Sequence, residues 1–144
     1  AGLAAQRRTE GQLNLIRSAV NRFEETIQRG DRAIDVDFEF HLQIALATHN
    51  RYFEEVYRRL GTTTIPRTRL DTSRFSEETA HNYLHRTNRE HEQILDAIAR
   101  KDSDTARACM RMHLSNSRER LRKAIAAAGL DSTAAIEELS TAVV

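Results

Sequence analysis

The chain has 144 residues, enough for one domain with a buried core rather than two. Its 22 basic and 21 acidic side chains leave a formal charge of +1, which argues against a nucleic-acid surface built on basic excess. Apolar residues make up 40% and charged residues 30%, an ordinary globular balance, and no apolar run approaches the ~18 residues of a membrane span. The single cysteine, Cys109, excludes an internal disulfide and fits a reducing cytoplasm. The N-terminus lacks the basic-then-apolar pattern of a signal peptide.

Five glycines and one proline, Pro66, are scattered along the chain, so there is no phosphate-cradling loop and no dinucleotide fingerprint. No run of alternating β-branched residues bounded by turn residues is present. The expectation is an all-helical domain.

In chain order, residues 2–8 read as the tail of a helix that starts upstream. Thr9-Glu10-Gly11-Gln12 is a capping-box pattern, and Leu13, Ile16, Val20, Phe23 and Ile27 then recur at steps of three and four. Gly30 ends that helix. A third helix is expected over 31–48, with a break at His49-Asn50 and Asn50 capping the fourth. Phe53, Val56, Tyr57 and Leu60 form its inward stripe. Pro66 predicts a kink or break near residues 62–65. A long fifth helix from about Ser76 carries the stripe Leu84, His91, Ile94, Leu95 and Ile98. Asp102 or Ser103 caps a sixth that reaches about Ala128, before Gly129. Residues 130–144 form a tail or a short helix.

Four residues conflict with the apolar faces they occupy. Asp37 and His41, at i and i+4, sit about 40° apart on the helical wheel beside Ile34, Phe40 and Ile44. His91 lies in line with Leu84, Leu95 and Ile98, and His113 near Ala106, Cys109 and Met110. Buried carboxylate and imidazole are costly without a charged or polar partner. A cation bound by three imidazoles and one carboxylate removes all four costs at once, and this donor set suits zinc, nickel and manganese. Hydrogen-bonded core histidines and a helix-stabilising Asp/His contact are the plainer alternatives. The rival pair His81/His85 lies among Glu78, Asn82 and Arg86 and reads as a solvated face. His49 reads as a helix-end residue.

These residues also form an ordered pattern. Asp37-Phe38-Glu39-Phe40-His41 reads D-x-x-F-H and is followed by Asn50. Glu90-His91-Glu92-Gln93-Ile94 with Ala97-Ile98 reads E-H-x-x-I-x-x-A-I, and Asp102 or Asp104, Ala106 and Met110-x-x-His113 follow. Over residues 2–128 this resembles the FCD domain, the effector-binding half of GntR-type bacterial transcription regulators of the FadR subfamily. The resemblance implies an antiparallel bundle of six or seven helices around a central pocket. It implies metal ligation by Asp37, His41, His91 and His113, a small organic acid as effector, dimeric assembly and no catalysis. It places an FCD-type domain at 1–129 with a shortened first helix and a tail at 130–144. The winged helix-turn-helix half is absent from the chain, so DNA is reached only through that missing domain.

A carboxylate effector needs donors beyond the metal. Arg67, one heptad after Leu60, is the first candidate for a bidentate grip. Arg69, Arg120, Asn88, Asn116 and Thr64 are the others. Two rivals are a metal-dependent enzyme and a purely structural dimerisation module. Against the enzyme, Glu39 and Glu92 flank the ligands but are phased away from their face.

Overall fold

The computed structural model describes residues 1–61 and 80–127. Six helices appear among them: α1 (Gly2–Arg7), α2 (Glu10–Gln28), α3 (Ile34–Leu46), α4 (Arg51–Leu60), α5 (Ala80–Ala99) and α6 (Ser103–Ala127). No strand occurs among the described residues, so the all-α expectation holds. Thr64, Pro66, Arg67, Arg69, Ser76 and the tail 130–144 lie outside them, as does the side chain of His81.

The punctuation acts as expected. Thr9 Oγ1 accepts from the Gln12 amide at 3.1 Å, and Gln12 Oε1 accepts from the Thr9 amide at 2.9 Å, closing the capping box of α2. Gly30 takes a left-handed φ of 71° just past α2. Asn50 Oδ1 caps α4 by accepting from Tyr52 N at 3.0 Å, and Asp102 Oδ1 caps α6 from Thr105 N at 3.0 Å. His49, at the turn between α3 and α4, has φ 52° and reaches Gln12 Oε1 at 3.1 Å, a helix-end role.

Helices α2, α3, α5 and α6 pack around the core, with α1 laid against α6 and α5. The buried Arg8 fastens that corner. Its guanidinium donates to Ala99 O at 2.8 Å and pairs with Glu10, which satisfies carbonyls at the end of α5. Helices α5 and α6 are antiparallel. Glu90 meets His113 and Tyr83 meets Arg120, so partners fall along one helix as they rise along the other.

The interior divides into two apolar clusters. The larger joins Leu13, Ile16, Phe40, Ile44, Ile94 and Ile98 with small residues of α1 and α6; the smaller is Phe23, Ile27 and Ala33. The stripe read on α5 is buried at His91, Ile94 and Ile98, with Leu84 and Leu95 packed against the clusters.

Helix α4 departs from expectation. None of its residues is fully buried, and Phe53, Val56 and Leu60 are about half exposed. Only Tyr57 leans inward, toward Phe38 at 6.2 Å between ring centroids. Among the described residues α4 packs chiefly on α3, and one helix cannot cover a whole apolar stripe. No described helix is long and apolar enough to cross a membrane.

Candidate metal centre

Three helices converge where the two apolar clusters meet. Helix α3 supplies Asp37 and His41 on one face, α5 supplies His91 and α6 supplies His113, and all four side chains are buried. The imidazoles of His41, His91 and His113 each offer a ring nitrogen, all within 4.8 Å of one another. His113 Nε2 stands 3.3 Å from His41 Nε2. Asp37 Oδ1 stands 3.2 Å from His91 Nε2 and 3.8 Å from His41 Nε2. Three ring nitrogens therefore cluster, and the Asp37 carboxylate stands beside two of them.

This arrangement fits a divalent ion. Two nitrogens on one tetrahedral zinc at about 2.0–2.1 Å stand roughly 3.3–3.4 Å apart, close to the spacing of His41 and His113. Direct contacts, His41 with His113 and Asp37 with His91, are the plainer account of the same side chains.

Aromatic rings wall the site. Phe40 stacks on His91 with centroids 4.1 Å apart and planes at 28°, while the edge of Phe23 meets His91 at 5.0 Å. Each phenylalanine belongs to a different apolar cluster, so His91 is clamped between them. Burial pushes the Tyr57 phenol up, and the negative charge of Asp37 pushes it further.

The candidate effector donors separate. Asn88 is buried one turn before His91 and donates to Glu24 Oε2 at 3.0 Å, leaving its own Oδ1 without a hydrogen bond. Asn116 and Arg120 both turn onto Glu90. Asn116 Nδ2 donates at 2.9 Å, and Arg120 grips both carboxylate oxygens at 2.9 and 3.0 Å while lying over the Tyr83 ring. Thr64, Arg67 and Arg69 lie outside the described residues. The rival His85 sits half-buried, 3.6 Å from Glu24 of α2, and is not one of the three histidines that cluster.

Glu90 is the residue the sequence reading passed over. Its Oε2 lies 2.8 Å from His113 Nδ1. Burial raises its carboxyl pKa, but hydrogen bonds from His113, Arg120 and Asn116 and the Arg120 charge outweigh that and bring it down to about 2. The signal available beforehand was phase: Glu90 precedes His91 and faces α6 only once α5 and α6 are known to pair. Arg120 rises in turn; burial lowers it, and its bonds and charge contact with Glu90 more than compensate.

Comparison with known proteins places the chain in a family. The chain is 31% identical over 119 residues to the HTH-type transcriptional regulator LutR of Bacillus subtilis (strain 168), covering 81% of the chain and 52% of the regulator. The chain thus spans about half the length of that relative. The FCD domain matches residues 1–116, a stretch that includes Asp37, His41, His91 and His113. On that match the chain belongs to the FCD domain family.

Proposed function

We propose that this chain is the effector-sensing domain of a GntR-type transcription regulator, holding a divalent metal on Asp37, His41, His91 and His113. The observation that carries the metal reading is the buried convergence of three ring nitrogens with the Asp37 carboxylate nearby. The regulatory reading rests on family membership and on the likeness to a transcriptional regulator that the chain half spans. Zinc is the first choice of ion, with nickel and manganese accepted by the same donors.

A metal with four protein ligands and open positions supplies a direct binding point for a small carboxylate effector. The chain's own residues then orient that effector. Tyr57 offers a phenol and Asn88 a buried carbonyl oxygen suited to a hydroxyl donor. Arg67, Arg69 and Thr64 keep the outer roles read from sequence. The domain spans 1–129, works by binding rather than turnover in the cytoplasm, assembles as a homodimer, and acts on DNA through an N-terminal domain.

The test is metal content by inductively coupled plasma mass spectrometry on untagged protein purified without chelator. About one metal per chain is expected, lost in the His91→Ala/His113→Ala double variant. A folded native chain that stays empty after incubation with zinc, nickel and manganese would overturn the metal centre and leave a helical interaction domain.

A further inference from the structure

We propose that Glu90 is the positioning residue of this centre: clamped by Arg120 and Asn116, its carboxylate holds His113 with Nε2 facing the other ligands. The inference rests on the metal reading above and concerns how α6 is held to it.

Both Glu90 oxygens are already acceptors: Oε1 takes hydrogens from Asn116 and Arg120, and Oε2 takes one from Arg120. The contact at 2.8 Å to His113 Nδ1 therefore uses a ring hydrogen on Nδ1. With that hydrogen on Nδ1, Nε2 of a neutral ring carries the lone pair a metal needs, and it is Nε2 that approaches His41. A carboxylate on one rotatable stem is a poor guide by itself. Here Arg120 fixes it bidentately, as a planar fork on a planar carboxylate, and Asn116 adds a third donor.

The clamp is built rather than incidental. Glu90 and Arg120 side chains are each 13% exposed, and Arg120 is pinned from its other face by the Tyr83 ring at 5.2 Å. Asn116 lies one turn and Arg120 two turns beyond His113, so the carboxylate reads the register of α6 against α5 over that length. Sliding α6 along α5 breaks the clamp and turns His113. Arg120 and Asn116, read from sequence as effector contacts, thereby become supports of a metal ligand.

The experiment titrates the 144-residue chain with zinc against a competing chelator for wild type, Glu90→Ala, Glu90→Gln, Arg120→Ala and Glu90→Ala/Arg120→Ala. Glu90→Ala is expected to weaken zinc binding ~10–100-fold, Glu90→Gln by less, and Arg120→Ala by less than Glu90→Ala. Because Arg120 acts through Glu90, the double variant should match Glu90→Ala instead of adding. The visible absorption of the cobalt-loaded protein should shift in Glu90→Ala, as a turned His113 alters the ligand field. Glu90→Gln keeps the side-chain shape and carries the test if the alanine variant does not fold. Zinc affinity of both Glu90 variants within about twofold of wild type, or full additivity with Arg120→Ala, overturns the proposal while leaving the centre in place. A wild-type chain that binds neither zinc nor cobalt overturns the metal reading and this inference with it.

Discussion

His91 is wholly buried beneath two phenylalanine rings, and Asp37 meets it at 3.2 Å. An imidazole in such a setting loses hydration, so its neighbours decide its chemistry. Glu90 has the opposite surroundings, with three side-chain donors converging on one carboxylate. Its folded pKa of about 2 lies below the ordinary 4.5. The stabilisation from that depression is complete above pH 4.5 and disappears as pH falls through 2. In metal-free protein, the stability advantage of wild type over Glu90→Gln should therefore shrink across that window. Urea titrations at stepped pH measure it; a constant difference between pH 5 and 2 would contradict the assignment.

At the scale of the element, α2 illustrates how local chemistry holds a long helix in place. The reciprocal bonds of Thr9 and Gln12 satisfy two amides at its start, and the Gln12 side chain also reaches Leu46 O at 3.4 Å at the end of α3. Thr9→Ala should cost about 1 kcal/mol of global stability in chemical denaturation, with metal stoichiometry unchanged, since the cap lies far from the ligands. Helix α4 shows the reverse. Its sequence is strongly amphipathic, yet burial depends on having a neighbour, and among the described residues α4 packs chiefly on α3, which covers little of the stripe.

For the whole molecule, the proposed ligands come from α3, α5 and α6, with His41 and His113 72 residues apart in sequence. An ion bound there ties three helices together only in the folded state. Zinc at 100 times its dissociation constant should add about 2.7 kcal/mol to stability, raising Tm by several degrees. Chelator should reverse the shift, and the His91→Ala/His113→Ala variant should show none. In the proposed regulator, signalling to a DNA-binding domain asks for more than tight binding. A near-complete switch needs a difference in effector affinity between two packings of on the order of 10⁴-fold, or about 5.5 kcal/mol.

Much of this was legible in the sequence. Helix boundaries follow from caps and glycines because those devices act within four residues, and Thr9, Gly30, Asn50 and Asp102 each do so. The four side chains of the candidate centre were legible too: a carboxylate or imidazole on an apolar face is a conflict that periodicity exposes before any fold is known. What periodicity cannot supply is which faces meet. The exposure of α4, the clamp of Arg8 on the end of α5, and the turning of Asn116 and Arg120 onto Glu90 all depend on contacts between distant segments. The residue types and their phase are local properties and were determined by the sequence alone. The pairing of α5 with α6, which makes Glu90 a partner of His113, was decided only by tertiary packing.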